Sequence, residues 1–146
     1  KYEKKEIQLS DPVETFESVN GRLLMGMYKE GIGESTDAMK LYLNSAIQGS
    51  IEAEGRAAIL LYKNGRVDDA EQMLMNLRPW QNLDSDYIPN LFVNRSDESK
   101  ICLFYLGLIK LNKGEIDKAN QMFKKLFLLG FPNADNFLSI CYFKNH

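Results

Sequence analysis

The sequence predicts an all-α fold made of repeated helical hairpins. Residues 65–77 (GRVDDAEQMLMNL) and 114–126 (GEIDKANQMFKKL) have similar sequences and lie 49 positions apart. Apolar residues recur at helical spacing on both sides of these glycine turns, and no segment alternates as a strand does. Because a single amphipathic hairpin leaves part of its apolar surface uncovered, such repetition indicates hairpins that stack on one another.

The first helix is predicted to follow a charged lead-in, residues 1–10. Asp11 is a suitable N-cap, and Pro12 suits the first helical position, so the helix is expected to begin there. Apolar side chains then follow at helical intervals until the glycines of the segment 31–33 end the helix. The sequence therefore places the first turn of the chain at this segment.

Glycines mark the ends of the next two predicted helices. Ser35 or Thr36 is expected to cap the second helix, which ends before Gly49. Ser50 is expected to start the third helix, which ends before Gly65. The chain thus reads as one helical hairpin followed directly by the first helix of another.

A long connection interrupts the regular spacing of the repeats. A fourth helix is predicted at 67–77, and residues 79–98 carry two prolines and the only tryptophan without a sustained helical period. The fifth helix is predicted to begin at 96–98 and the sixth to span 116–129. Pro132 or Asn133 opens a seventh, for which no partner helix follows. Either this helix caps the stack or the natural protein continues beyond it. We predict that residues 1–146 form one helical-repeat domain.

Composition excludes several classes of protein. The 146 residues carry a net charge of −2, and no apolar run approaches the ~18 residues of a membrane span. Residues 1–99 contain 11 basic and 17 acidic side chains, whereas 100–146 contain 7 and 3. A chain that is acidic over most of its length has no general attraction for nucleic acid. We therefore predict no nucleic-acid partner and no membrane insertion.

The two cysteines and the single histidine carry little chemistry. Cys102 and Cys141 lie in apolar stretches without metal-ligand spacing, so we expect buried, free thiols. His146 is the last residue, which leaves no internal histidine for acid–base or triad catalysis. The sequence predicts no catalytic residue, no cofactor and no metal. Because it begins with Lys1 rather than Met, either a leader has been removed or the chain is a fragment, and an exported or cell-envelope location is favoured over a cytoplasmic one.

The third hairpin resembles a tetratricopeptide repeat. That pattern has a small residue in its first helix, helix A, then Gly seven positions later and Ala five after that. Gly107, Gly114 and Ala119 have this spacing, and Ala58, Gly65 and Ala70 repeat it. The resemblance predicts that these small residues are buried at close helix contacts. At the family period of about 34 residues, Phe137 and Cys141 would fill the aromatic and small positions of another helix A.

The first hairpin is more similar to the related Sel-one-like repeat. Residues 28–33 (YKEGIG) match the Y-x-x-G-x-G element of that pattern, although Met25 stands where the pattern has glycine. Such families form right-handed α-solenoids, and we expect about three hairpins and a final helix here. Their members bind peptides or proteins on the concave helix A face and rarely catalyse reactions.

The resemblance supplies a candidate groove. Tyr28-Lys29 and Tyr62-Lys63 are taken as equivalent pairs, with aromatic contact area and a charge for a partner's carboxylate. The complete predicted groove consists of Met25, Tyr28, Lys29, Ile59, Tyr62, Lys63, Phe104, Leu108, Leu111 and Asn112. The alternative interpretation is that Tyr28 and Tyr62 pack between adjacent helices and do not contact a partner.

The long connection is a second candidate site, because insertions with aromatic side chains often bind partners. Its candidates are Trp80, Tyr87 and Phe92, and the alternative is that Trp80 is tucked into the core. The expected function is a non-catalytic scaffold for a protein or peptide partner. The alternatives are an assembly or secretion factor of a bacterial cell envelope, a helical-repeat RNA binder and, least favoured, an enzyme.

Overall fold

In a computed structural model, which describes residues 18–80 and 93–145, the chain forms seven helices, and that part of the chain contains no strand. The helices are α1 (Val19–Gly31), α2 (Ser35–Ile47), α3 (Ile51–Lys63), α4 (Val67–Leu77), α5 (Val93–Asn112), α6 (Ile116–Leu128) and α7 (Ala134–Asn145). The predicted all-α class is confirmed, and the architecture is that of a helical repeat, in which α1 packs on α2 and each of α5, α6 and α7 packs on the helix before it.

Most predicted helix boundaries agree with the structure. The hydroxyl of Ser50 accepts the Ala53 N–H at 3.1 Å, so it caps α3 as expected. Ser18 caps α1, as its Oγ accepts the Gly21 N–H at 2.9 Å. The start predicted at Asp11 and Pro12 lies outside the described residues. The fifth helix was placed too late, because α5 already begins at Val93.

The three hairpin turns share one backbone conformation. Gly33, Gly65 and Gly114 have φ values of +86°, +85° and +81°. Each donates its N–H three residues back, and the next residue donates five residues back, at 2.9 Å in all three turns. This pair of bonds is the Schellman motif, which needs a left-handed residue and so favours glycine. The motif makes Glu34 the N-cap of α2, so the predicted cap at Ser35 or Thr36 is wrong.

Small residues let the two helices of a hairpin approach closely. A Cβ added to Gly107 would lie 2.9 Å from Cζ of Phe123, and one added to Gly26 would lie 2.7 Å from Cε1 of Tyr42. The two glycines each precede their aromatic residue by 16 positions and their turn glycine by seven. The predicted burial of small residues is confirmed at Ala58, Ala70, Gly107 and Ala119.

The turns and small residues fix the repeat register. Gly26, Ala58 and Gly107 are equivalent, which gives spacings of 32 and 49 residues. Gly49 and Gly130 both have positive φ, and the latter lies nine positions before Ser139 just as the former precedes Ala58. We therefore take Ser139 as the small position of α7. The predicted repeat period of about 34 residues is two residues longer than the spacing of 32 residues between Gly26 and Ala58.

This register corrects three expectations. Cys141 is not equivalent to Gly107, because it lies two positions beyond Ser139. The glycine that Met25 was expected to replace is present one residue later, as Gly26. The insertion between the second and third hairpins is 17 residues, rather than about 15 as the longer family period implied.

The chain divides into two compact units, residues 1–53 and 54–146, with the boundary inside α3. In unit 1, α1 packs on α2, and Tyr42 is fully buried while its hydroxyl donates to Oε1 of Glu30 at 2.6 Å. Two core clusters lie in the described part of unit 2. One joins α3, α4 and α5 around Leu74 and Leu106, and the other joins α5, α6 and α7 around Leu103 and Phe123.

The two cysteines lie in different clusters of unit 2. Cys102 belongs to the cluster of α3, α4 and α5, and Cys141 to the cluster of α5, α6 and α7. Both are buried and carry free thiols, as the sequence predicts. Burial raises the pKa of Cys102 to about 12, with the Glu98 carboxylate adding to the effect. The thiols therefore act as small apolar core residues.

Candidate functional site

One face of unit 2 displays apolar side chains at equivalent positions of three helices. Counted from the small residue, the next position is Ile59 in α3, Leu108 in α5 and Ile140 in α7. The first two are half-buried and pack on the core clusters, whereas Ile140 is 40 % exposed. Because equivalent positions of neighbouring helices point to the same side, these three residues form a row across the helices.

A second row lies three positions further along each helix. It consists of Tyr62 in α3, Leu111 in α5 and Phe143 in α7. Leu111 is buried, Tyr62 is half-buried, and Phe143 is 76 % exposed. We call the surface formed by Ile59, Tyr62, Tyr105, Leu108, Ile140 and Phe143 the A face of unit 2. It is apolar, and its exposure is greatest on α7.

Aromatic contacts hold the A face in place. The rings of Tyr62 and Tyr105 meet edge-on with centroids 5.4 Å apart, which joins α3 to α5. Phe104 contacts Tyr105 at 5.7 Å and Phe137 of α7 at 5.2 Å, again edge-on. Such pairs add about 0.5–1.5 kcal/mol each beyond the area they bury. The rings thus join the three helices and hold Tyr62 and Tyr105 of the A face in place.

An ion network fastens α4 to α5. Lys113 Nζ donates to Oδ1 of Asp68 at 2.6 Å and to Oε1 of Glu71 at 2.7 Å. Lys110 Nζ, almost buried, lies 2.9 Å from an oxygen of Glu71 and 2.9 Å from one of Glu115. Those two oxygens lack good hydrogen-bond geometry, so the Lys110 contacts act as ion pairs.

The network shifts the pKa values of Lys110, Glu71 and Glu115 toward their charged forms. Burial alone would lower the pKa of Lys110, but the carboxylates of Glu71 and Glu115 outweigh it and raise that pKa. Burial alone would raise the pKa of Glu71, yet Lys113 and Lys110 bring it below its usual value. The Lys110 ammonium is the main cause that lowers the pKa of Glu115. Lys110, Glu71 and Glu115 are therefore charged at neutral pH.

Basic side chains end the helices of the A face. Lys63, Lys110 and Lys144 lie in the last turns of α3, α5 and α7. Lys63 and Lys144 are equivalent and exposed, whereas Lys110 belongs to the ion network. The opposite edge carries an ion pair in which Nη2 of Arg56 lies 3.5 Å from Oε1 of Glu98. The three lysines complement the dipoles of their helices.

The predicted groove residues of unit 1 are displaced from their expected roles. Met25 is buried, and Tyr28 is 41 % exposed but lies two positions away from the equivalent of Tyr62. Glu30 occupies that equivalent position, so the two Tyr-Lys pairs do not match and their equivalence is wrong. Lys29 donates to Oε2 of Glu34 at 2.7 Å, and this contact raises its pKa. Its charge is already paired within the hairpin.

The groove residues of unit 2 divide between surface and core. Ile59, Tyr62 and Leu108 lie on the A face and also contact the core clusters. Lys63 and Asn112 are exposed at the helix ends. Phe104 and Leu111 serve mainly to pack α5 against α6 and α7. The structure thus brings most of this predicted set together, with Leu111 buried and Phe104 half-buried.

Trp80 connects the two core clusters of unit 2. Its side chain is half-buried and packs against both, while its backbone oxygen accepts a hydrogen bond from Lys125 Nζ at 2.8 Å. Of the two readings of this residue, the structure therefore favours the one in which it is tucked into the core. Tyr87 and Phe92 lie outside the described residues.

Sequence reasoning missed Tyr105, Ile140 and Phe143. The signal for the last two was the pair Gly49 and Gly130, whose spacing to the following helices sets the register of α7. Within residues 18–80 and 93–145, no group of three or more histidine, cysteine or acidic residues could hold a metal ion. None of the helices described there is long and apolar enough to cross a bilayer.

Comparison with known proteins does not place this chain in a family. The chain matches no family model, and the curated proteins searched contain no match to it.

Proposed function

We propose that the protein is a non-catalytic interaction scaffold that binds a partner protein through the A face of unit 2. The observation that carries the proposal is the alignment of apolar side chains across three helices, which culminates in Ile140 and Phe143. Phe143 is 76 % exposed and Ile140 is 40 % exposed. Large apolar side chains that gather on one face are typical of interaction surfaces, whereas singly scattered ones need no explanation.

The ring contacts of Tyr62 and Tyr105 support the same proposal. Edge-on rings fix Tyr62 and Tyr105, so little side-chain entropy is lost when a partner covers them. Aromatic anchors in such surfaces often carry most of the binding energy. We further propose that unit 2 is part of a right-handed α-solenoid of the tetratricopeptide type. Its Schellman turns and its small, glycine and alanine positions at 0, +7 and +12 favour that family.

The experiment compares two variants with matched exposure. Phe143 lies on the A face, whereas Leu128, 74 % exposed, lies at the end of α6 and outside that face. Extracts of the source cell are passed over immobilised wild-type protein, Phe143→Ser and Leu128→Ser, and retained proteins are identified by mass spectrometry. We expect a partner that is retained by wild type and Leu128→Ser and lost with Phe143→Ser. Equal retention by all three proteins would exclude the A face as the binding surface.

A further inference from the structure

We propose that the outer face of α7 docks an amphipathic helix of the partner protein, in which alanine, leucine and a basic residue follow one another at intervals of four positions. This inference rests on the proposed function and names the kind of segment that covers Phe143. It follows from the way in which the hairpins of this chain pack their own two helices, and from the side chains that α7 presents at the equivalent positions.

The outer face of α7 is equivalent to a face of α5 that other helices cover. On α5 this face consists of Leu103, Phe104, Gly107, Leu108 and Leu111. The four larger side chains pack in the cluster that α5 forms with α6 and α7, and Gly107 lies against Phe123. The equivalent residues of α7, 32 positions later, are all exposed, namely Asp135, Asn136, Ser139, Ile140 and Phe143. The positions with which α5 receives a helix are therefore open to solvent on α7.

The small position of each hairpin receives a large side chain of the second helix. Gly107 lies against the ring of Phe123, 16 positions later. Ala58 and Leu74 have the same spacing in the second hairpin, and both are fully buried in one cluster. Glycine thus pairs with an aromatic ring, whereas alanine, which has a Cβ, pairs with leucine. Ser139 also has a Cβ, so the space beside it suits leucine better than a ring.

The hydroxyl of Ser139 does not oppose burial under such a leucine. It donates a hydrogen bond to the backbone oxygen of Asp135 at 3.1 Å. A hydroxyl that is bonded within its own helix keeps its partner when an apolar side chain covers it, so no donor is left unsatisfied. The small position of α7 can therefore be covered at little cost in hydrogen bonding.

Phe143 requires a small residue on the docked helix. In an antiparallel hairpin, the position four after the small residue meets the position four before the large one. These positions hold Leu111 and Ala119 in the third hairpin, and Tyr62 and Ala70 in the second. Both alanines are fully buried. Because two large side chains would overpack this contact, the residue opposite Phe143 should be alanine as well.

Asp135 selects the charge of the docked helix. It is exposed, and it is the only ionisable residue among the five positions of the α7 face. It lies four positions before Ser139, so it meets the position four after the leucine of an antiparallel helix. A basic side chain there pairs with the carboxylate and lies toward the C-terminus of the docked helix, where the helix dipole also favours a cation.

A second copy of the chain fits this face less well. Two α7 helices that meet antiparallel at Ser139 would place Asp135 of each copy against Phe143 of the other, because both residues lie four positions from Ser139. Two parallel helices would bring the two Asp135 carboxylates together. Either arrangement covers a carboxylate without a counter-charge, which is unfavourable. The face therefore favours a partner helix that carries its own cation.

Synthetic peptides test the inference with the complete 146-residue chain. The first probe is a fluorescent peptide with alanine, leucine and arginine at intervals of four and with glutamine, an uncharged helix former, elsewhere. In the second probe the leucine is moved by two positions, which turns it to the other side of the helix. The third has glutamate in place of arginine, and the fourth has proline between alanine and leucine, which breaks the helix. Fluorescence anisotropy gives the Kd values, and we expect the first probe to bind about tenfold or more tightly than the others.

Variants assign the effect to single contacts. Phe143→Ser should weaken binding of the first probe about 30-fold, which corresponds to ~2 kcal/mol, and Leu128→Ser, at a similarly exposed side chain of α6, should leave it unchanged. Asp135→Lys should reverse the preference between the first and third probes. Asp117→Lys, at an exposed acid in the first turn of α6, should not. Circular dichroism checks that every variant is folded.

The size of the small position is tested separately. Ser139→Gly should admit a ring as Gly107 does, so a probe with phenylalanine in place of leucine should bind this variant more tightly than the first probe does. In the wild-type chain the order of the two probes should be the opposite. The same order in both proteins would overturn the placement of the leucine on Ser139.

The outcomes separate this inference from the proposed function. Equal binding of the probes, or no binding of the first, overturns the docked helix, and a dimer in sedimentation that Phe143→Ser abolishes would replace it by a second copy. If cell partners are lost with Phe143→Ser although no probe binds, the A face remains a binding surface for a ligand of other chemistry. If retention of cell partners is also insensitive to Phe143→Ser, the proposed function fails as well.

Discussion

Lys29 and Lys110 occupy the same position, four residues before the glycine of their hairpin turns, yet they have different surroundings. Lys29 contacts Glu34, the residue after its turn glycine, and Lys110 contacts the equivalent Glu115. Lys110 also reaches Glu71 of the preceding hairpin, which Lys113 contacts as well. One local motif thus stabilises a turn in the first hairpin and a junction between hairpins in the third.

The second hairpin sharpens the contrast. Leu61 and Arg66 stand at these two positions, and Arg66 instead pairs with Asp69 at 2.6 Å in the first turn of α4. The turn keeps its Schellman geometry without the lysine–glutamate pair. The pair is therefore not required to form the turn, and in the third hairpin the contacts of Lys110 and Lys113 with Glu71 hold α4 against α5. Four predictions test this interpretation.

The largest effect should be common to both hairpins. Ala38 and Ala119 are equivalent and fully buried, so Ala38→Leu and Ala119→Leu should each destabilise the fold by about 1–3 kcal/mol through overpacking. Asn120→Leu, at the exposed neighbouring position, is the control. Urea unfolding followed by circular dichroism measures the change. An Ala119→Leu protein as stable as Asn120→Leu would show that the repeat register is wrong.

Replacing the lysines should separate the two hairpins. Lys110→Met keeps the apolar stem but leaves Glu115 and part of Glu71 without their counter-charge, which should cost about 1–2 kcal/mol because this group is nearly buried. Lys29→Met removes a pair whose glutamate is half-exposed, and a smaller change is expected. Thermal unfolding gives the melting temperatures of Lys110→Met and Lys29→Met, which are compared with that of the wild-type protein. Equal effects of the two substitutions would remove the distinction between turn and junction.

Thiol reactivity should report the opening of the junction. Cys102 lies in the cluster of α3, α4 and α5, and burial raises its pKa, so it should react with an aromatic disulfide only after local opening. We expect Lys110→Met to accelerate labelling of Cys102, identified by peptide mass mapping, and Lys29→Met to leave the rate unchanged. Acceleration by Lys29→Met alone would contradict the assignment of the network to the junction.

The smallest effect should be a pH dependence that the network confers. The pKa of Glu71 is lowered in the folded state, so its stabilisation is complete above its ordinary value of 4.5 and is lost as pH falls through the folded value. The pKa of Lys110 is raised, so its stabilisation is complete below 10.5 and is lost as pH rises through the folded value.

Melting temperatures between these limits should therefore be nearly constant and should fall on both sides. In Lys110→Met the acidic decline should be shallower than in wild type, since Glu71 has lost one of its two cations. Lys29→Met should keep the wild-type acidic profile of Glu71. An unchanged acidic limb in Lys110→Met would mean that Lys113 alone sets the pKa of Glu71.

The sequence by itself determined the helices, their turns and the small residues. Glycines at 33, 65 and 114 end helices because the Schellman turn needs positive φ, and this requirement is local. The alanines and glycines at helix contacts were likewise visible, since a fixed spacing from a turn places them on one helix face. The register of the first and last helices was missed by two residues because the family period replaced the glycine spacing of this chain.

Only the tertiary structure decided which side chains are available to a partner. Tyr62, Phe104 and Trp80 are all large aromatic residues in or beside helices, and all three are half-buried. No local sequence pattern tells which of them lies on the A face and which packs against the core clusters. The fate of Lys29 and Lys110 is equally non-local, because their sequence contexts match while only one has Glu71 of another helix within 2.9 Å. Burial and charge pairing depend on which helix packs where, and that is settled by contacts between residues distant in the chain.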